Sequence, residues 1–424
     1  MSTRVPQQIA DAIADPKAYA AGEPVDEAFA WLRAHAPFAQ VTPEGYDPIW
    51  VAARHGDIME IETKPELFCA GANMPVLTTR SVLESRAQSG FSGPRTLVSM
   101  DPPDHAEFRR LTHAWFLPKN LKSIEARIRE LANKAVDRMA ALGGSCDFAR
   151  DVALAYPLQV IMEILRIPAS DEAFMLKLTQ EMFGSRDPDA SRDGASAVDP
   201  VAAQLGLQKT IADMQTYFTE LTLDRRRHPT GDVASVIANG TIQGEPIAIA
   251  DAIGYYVIAM TAGHDTTSST SSVAMWELAK RPGLLPRLRS DPSAIRPFID
   301  ESVRWATAVK HFMRTATRDV EFAGQQLRKG DLVMLSYHSA NRDEAVFERP
   351  FDFDIDRQPG RHIAFGFGPH VCLGQHLAQM EMRLFWEELL PRLEMAELNG
   401  EPRRIEANFV CGPKSVPIAY RIAG

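Results

Sequence analysis

Cysteine is scarce in this chain. Four occur in 424 residues, Cys69, Cys146, Cys372 and Cys411, far apart and with no CxxC pair. A disulfide framework or a zinc site is therefore not expected, and the scarcity fits a reducing cytoplasm. Long apolar runs are missing too. The longest, 252–263, is about a dozen residues, short of the roughly 20 that cross a bilayer. The amino-terminal residues are polar with no apolar stretch behind them, so no signal peptide is expected. Positive charge is in deficit, 46 Lys and Arg against 55 Asp and Glu, a net charge of −9. With the cations spread along the chain, a nucleic-acid partner is disfavoured. No internal repeat and no Ser/Gly linker divide the chain. The segment 185–201, rich in Asp, Ser, Ala and Pro, reads as one long loop. No Gly-x-Gly-x-x-Gly stands between a strand and a helix, and no spare cysteine cluster suits an iron–sulfur centre. The chain is 45% hydrophobic, ample for a large core.

What the chain does have is one cysteine in a glycine-rich loop, Phe365-Gly366-Phe367-Gly368-Pro369-His370-Val371-Cys372-Leu373-Gly374. Glycine lacks Cβ and lets a flat body lie against backbone. Pro369 stiffens the loop. A helix is expected from Cys372 through Leu390, which puts the cysteine where free N–H groups converge and favours a thiolate. A rigid thiolate beside glycines suits an axial ligand to iron in a planar ring. The other reading is a Gly-rich turn around a structural cysteine.

A second unusual stretch lies in a helix expected over 248–280, apolar on nearly all sides in its first half. Its centre is Ala262-Gly263-His264-Asp265-Thr266-Thr267, a poor helix former by propensity. A buried acid and hydroxyl there cost free energy unless paired. Thr267, Ser268 and Ser269 read as hydroxyls bonded back to helix carbonyls, and His264 as a core histidine satisfied by a neighbour. His105 and Arg109 are four apart on a helix that starts after Asp101-Pro102-Pro103. They form either an anion-binding pair or a solvated basic face. Helices are also expected over 25–36, after 55–57, and over 124–142, 149–165, 171–183 and 201–227, the last capped by Arg225, Arg226 and Arg227. Strands are expected at 38–41 and 49–52 as a hairpin, at 312–316 and within 320–336. The segment 74–98 shows no period and reads as a long loop, functional or a surface excursion.

These motifs, in this order, resemble the soluble bacterial cytochromes P450. The pattern Phe-Gly-x-Gly-x-His-x-Cys-x-Gly at 365–374 is similar to that family's haem loop, and 262–267 to its long I-helix, closest to the terpineol-oxidising members. The resemblance implies a mainly α fold with small β-sheets, a triangular prism with haem between the I-helix and the cysteine-bearing L-helix. It implies one domain over 1–424, richer in strand over about 1–100 and helical over about 101–424. Haem b is the implied cofactor, with Cys372 as metal ligand and His105, Arg109, Arg314, His362, Phe365, Gly366, His370, Gly374, Ala262 and Gly263 around it. Thr266 would hydrogen-bond dioxygen and Asp265 would relay protons. Glu301, Arg304 and Arg357 would form a buried charged cluster that braces the loop. By family position, Met74, Leu97, Met182, Phe183, Ile258, Ala259, Val309, Phe312 and Val410 would line an apolar pocket. The family often has proline where this chain has Ala308.

The activity implied is insertion of one oxygen atom from O2 into a C–H bond of a small or medium apolar substrate, a terpenoid or alkyl-aromatic. Electrons would come from a ferredoxin docking near Arg109, Arg110 and the Cys372 loop. The protein would be a cytoplasmic monomer without a membrane or nucleic-acid partner. The rivals are a peroxide-using or non-oxidative enzyme of the same fold, and a haem-thiolate sensor. A cysteine hydrolase using Cys372 and His370 is disfavoured, because two-residue spacing in an extended loop turns those side chains apart.

Overall fold

The computed structural model describes residues 4–90, 93–183, 200–357 and 361–423. The expected loop at 185–201 lies almost wholly outside them. The long helix Ile249–Lys280 runs through the molecule. At 1.5 Å per residue its 32 residues span about 48 Å. Tyr256, Val257, Met260, Met275 and Leu278 are buried on its several sides. They pack against Ala155–Leu165, Glu172–Phe183, Pro200–Arg227 and Ile295–Ala306, which is why its apolar residues form no single stripe. Gly254 is required where the helix meets the 93–98 segment: a Cβ there would overlap the Arg95 carbonyl at 1.9 Å.

The largest sheet joins distant parts of the chain. Phe38–Val41 pairs antiparallel with Ile49–Ala52 as the hairpin expected. Ile49–Ala52 then runs parallel to Leu332–Ser336, with Ile49 opposite Leu332. Leu332–Ser336 pairs antiparallel with His311–Ala316, and Phe68–Cys69 closes the edge. All four residues of Ile49–Ala52 are buried, as suits a strand covered on both faces.

Four expectations need correction. The first hundred residues are not richer in strand: the helices Gln7–Ala12, Pro16–Ala21, Glu23–His35, His55–Glu62 and Arg80–Ser89 outweigh three short strands. The 74–98 segment is not a bare loop, since it contains the helix Arg80–Ser89. None of that helix's residues is buried, so it carries no apolar stripe to read. The expected helix 149–165 starts as a π turn, Ala149–Ala153, before Ala155–Leu165. The arginines at 225–227 mostly reach beyond their own helix: Arg225 to Asp232 and the Arg166 carbonyl, Arg226 to the carbonyls of Ala238 and Ile247.

Candidate active site

The cysteine loop is shaped by backbone. Gly366 and Gly368 have φ of 73° and 64°, the left-handed region that suits glycine. A Cβ on Gly368 would also stand 2.6 Å from the Glu62 carbonyl oxygen. The Cys372 N–H donates to the Phe365 carbonyl at 2.7 Å and closes the loop. The helix begins three residues later than expected, at Gln375, with Gly374 as its N-cap. Burial pushes the Cys372 thiol up, while the N–H groups of Gly374 and Gln375 and the Arg109 charge pull it down. Burial wins, so the helix start alone does not make the thiolate that the sequence suggests. A bound cation is needed to take up that charge.

The loop is braced from behind. Arg304 grips both oxygens of Glu301 at 2.7 Å, with both side chains almost fully buried. Its remaining donors reach the carbonyls of Asn341, Pro350 and Asp352. Arg357 Nε lies 3.4 Å from Glu301 Oε2, a charge contact without hydrogen-bond geometry. Asn341 Oδ1 accepts the Ile363 N–H at 2.8 Å and carries the brace into the loop. A buried ion pair offsets its desolvation only when its spare donors and acceptors are also satisfied, and here most are.

A cavity of about 1380 Å³ lies between the cysteine loop and the long helix. Its wall includes His105, Arg109, Ala262, Gly263, Thr266, Phe365, Gly366, His370, Cys372 and Gly374. Of the pocket residues expected, Met74, Leu97, Met182, Ile258, Ala259, Val309, Phe312 and Val410 line it, and Val309 and Val410 form a backbone bridge. The Phe183 side chain lies outside the described residues. Three expected site residues do not line it. His362 is turned away, with Nε2 3.1 Å from Asp300 Oδ1. That corrects its place in the expected set, and His370 takes the cavity position instead. Arg314 stands just behind the wall, bound to the Met313 carbonyl and facing Glu62. Asp265 is adjacent to Thr266 in sequence, but successive residues on a helix point about 100° apart. Asp265 Oδ1 lies 3.5 Å from His264 Nδ1 and Oδ2 has no partner. Burial raises the Asp265 carboxyl well above the ordinary carboxylate range.

The hydroxyls of the long helix divide. Thr266 donates to the Ala262 carbonyl at 2.7 Å, so its oxygen lone pairs stay available at the cavity wall. Thr267 shares the cavity wall with Glu381 and pulls that carboxyl down against the larger effect of burial. His264 is a satisfied core histidine, between Thr179 Oγ1 at 3.0 Å and the Leu154 carbonyl at 2.8 Å. Gly263 answers to packing, since a Cβ there would stand 2.5 Å from Ile161 Cδ1.

Two carboxyls escaped the sequence reading. Glu381 lies in the cavity wall, 1% exposed, with Oε2 unpartnered. Glu62 lies behind the loop. Both sit in ordinary amphipathic helices, and no local pattern marks either.

The residues fit a haem. His105, Arg109, His370 and Arg314 crowd together, with the His105 and His370 rings 4.1 Å apart. Burial holds His370 down to about 2, helped by the neighbouring Arg314, His105 and Arg109. Its Nε2 is buried and unpartnered. Such a cluster calls for anions, and two carboxylates on a flat cofactor would supply them. A Cβ on Gly374 would meet nothing within 4 Å, so the wall there is open beside the cysteine. The volume exceeds the 300–1,000 Å³ of an ordinary ligand pocket and has room for cofactor and substrate together. Fold and site thus define a haem-thiolate protein.

Known proteins agree. The cytochrome P450 family model matches residues 255–419. The chain is 45% identical to cytochrome P450-terp of a Pseudomonas species over 419 residues, 98% of each chain. It is 31% identical to linalool 8-monooxygenase of Pseudomonas putida, over 92% of this chain and 94% of that one. Among solved structures, CYP108D1 of Novosphingobium aromaticivorans superposes with a TM-score of 0.91 at 42% identity, covering 99% of each chain. The chain belongs to the cytochrome P450 family. It is a haem-dependent monooxygenase, with the mostly helical fold of that family.

Proposed function

We propose that this monooxygenase hydroxylates a terpenoid or alkyl-aromatic of small to medium size, with electrons from a small acidic ferredoxin. The observation that carries the substrate class is the apolar part of the cavity wall. There Met74, Leu97, Ile258, Ala259, Val309, Phe312 and Val410 offer apolar surface, which favours a neutral, apolar guest. The terpene names of two relatives, cytochrome P450-terp and linalool 8-monooxygenase, point the same way.

Cys372 would hold the haem iron, and Arg109 and Arg314, with His105 and His370, would bind the haem carboxylates. Bound there, the haem supplies the O–O cleavage that a cysteine ligand favours. The chain supplies position and protons. Burial raises the Asp265 carboxyl well above the ordinary carboxylate range, which favours its protonated form, and its Oδ2 has no hydrogen-bond partner. Thr266 keeps its hydroxyl oxygen at the cavity wall, where its lone pairs would accept a hydrogen bond from a proton-bearing group beside dioxygen. This pair favours an oxygen-using enzyme over a peroxide user, which needs no proton delivery.

The acidic ferredoxin is suggested by charge. The chain carries −9 overall, yet Arg110, His113, Lys119 and Lys122 are all exposed. Pro118–Leu121 packs on Gln375–Leu389, which places Lys119 and Lys122 on that side. Opposite charge there steers encounter and sets on-rate. We also propose a cytoplasmic monomer with one domain over 1–424.

A spin-shift titration over monoterpenes, alkylbenzenes, fatty acids and steroids tests the substrate class. A shift with fatty acids or steroids alone would overturn it.

A further inference from the structure

Glu62 is a buried carboxyl that the reaction above does not use. It ends the helix His55–Glu62 and is 4% exposed. Tyr337 donates to its Oε1 at 2.7 Å, and Arg314 Nη2 stands 3.4 Å from the same oxygen. Oε2 is buried and has no hydrogen-bond partner. Oε1 lies directly behind the cavity wall, since a Cβ on Gly366 would stand 3.8 Å from it and 3.8 Å from the Tyr337 hydroxyl. Gly366 and Tyr337 both line the cavity.

The conflict is one of counting. Arg314 is the buried guanidinium assigned above to a haem carboxylate, and this inference rests on that assignment. Yet Arg314 already faces a carboxyl of the chain. Two ionised carboxylates on one buried guanidinium repel each other, and one is held neutral. We propose that Glu62 shares a proton with the haem carboxylate that Arg314 binds, so that the pair takes up a proton when the iron gains an electron. One electron arrives from the redox partner and one proton from a buffer acid in the solvent, which leaves its conjugate base in solution.

The surroundings support this. Burial raises Glu62 from its ordinary value to about 7, against the pull of Arg314, the Tyr337 hydroxyl and the nearby Phe367 N–H. Those three face it from the strand His311–Ala316, the helix Tyr337–Ala340 and the cysteine loop. A second carboxylate beside Arg314 pushes it higher still. The sign follows. Reduction of the iron adds negative charge and raises proton affinity nearby. The midpoint potential therefore falls as pH rises through the window, and is flat where Glu62 is fully protonated in both oxidation states.

The test is spectroelectrochemistry of the haem-loaded protein from about pH 5.5 to 8.5, around the shifted carboxyl. Wild type is expected to lose potential with rising pH; a tenfold change in proton affinity between oxidation states is about 59 mV for one electron. Glu62→Gln, neutral throughout, is expected to be flat. Tyr337→Phe removes a bond to the ionised form and moves the window upward. Wild-type slope retained in Glu62→Gln overturns the proposal. If Glu62→Gln does not fold, reduced-minus-oxidised infrared spectra of wild type and Tyr337→Phe decide: a protonated-carboxyl band that the substitution shifts supports it, and no such band overturns it. The Arg314 assignment is read separately, by haem release to apomyoglobin from Arg314→Leu. Unchanged release sinks that assignment, whatever the slope.

Discussion

The two sides of the cavity are built by different means. On the cysteine side, geometry comes from backbone: left-handed glycines at 366 and 368, an N–H from Cys372 to Phe365, and a buried Glu301–Arg304 pair that grips carbonyls from three loop positions. On the long-helix side it comes from side chains set into a regular helix, Thr266 on the wall and Asp265 turned off it. The first arrangement fixes the path of one loop. The second leaves hydroxyls and carboxyls that can exchange protons. Rigidity of backbone thus belongs to the cysteine side, and the acid–hydroxyl pair proposed to serve dioxygen belongs to the long helix.

Substitutions can break or sharpen that contrast. The largest effect is expected from Cys372→Ala, which should abolish the red-shifted Soret band of the reduced carbon-monoxide complex together with turnover. A retained band would show another ligand. Next comes Asp265→Asn, expected to slow product formation about 100-fold, a usual scale for losing a positioned proton donor. Thr266→Ala should keep oxygen uptake but release it as peroxide, measured as product formed per oxygen consumed. Normal coupling would remove Thr266 from the proton path.

Glu301→Gln tests the rigid side. Breaking a buried pair costs about 3–5 kcal/mol, so the urea midpoint should drop and haem retention with it. An unchanged midpoint would mean the brace is dispensable. Gly368→Ala should cost about 1–3 kcal/mol for a left-handed alanine, with the Glu62 carbonyl crowding it further. The smallest effect is expected on the pocket. Phe312→Ala should change preference between substrates differing by a methylene or two, on the order of 10-fold, and leave the carbon-monoxide spectrum alone. A changed spectrum would place Phe312 against the haem ligation and not the substrate.

Legibility followed the same division. The cysteine loop reads directly, because glycine, proline and cysteine at fixed spacing encode a local backbone path. The Ala262–Thr267 segment reads because it breaks helix propensity in an otherwise apolar run. The Glu301–Arg304 pair is three residues apart and reads as local. The Arg80–Ser89 helix did not read, since its exposed faces leave no apolar period. His362 and His370 both flank the loop, and sequence gave no ground to prefer one. Only the fold turns His362 to Asp300 and His370 to the cavity. Glu62 and Glu381 were silent because a glutamate on an amphipathic helix is ordinary until burial makes it costly.

Sequence by itself determined the family chemistry: a cysteine presented by a rigid loop, and an acid–hydroxyl pair inside a buried helix. Both are short-range patterns, whose meaning survives without neighbours. Tertiary structure alone decided which side chains gather around the cavity, which hydroxyls face it, and that a carboxyl from residue 62 faces Arg314, 252 positions away. Those are long-range encounters. Their energies depend on desolvation and distance, and neither is written in any local stretch of the chain.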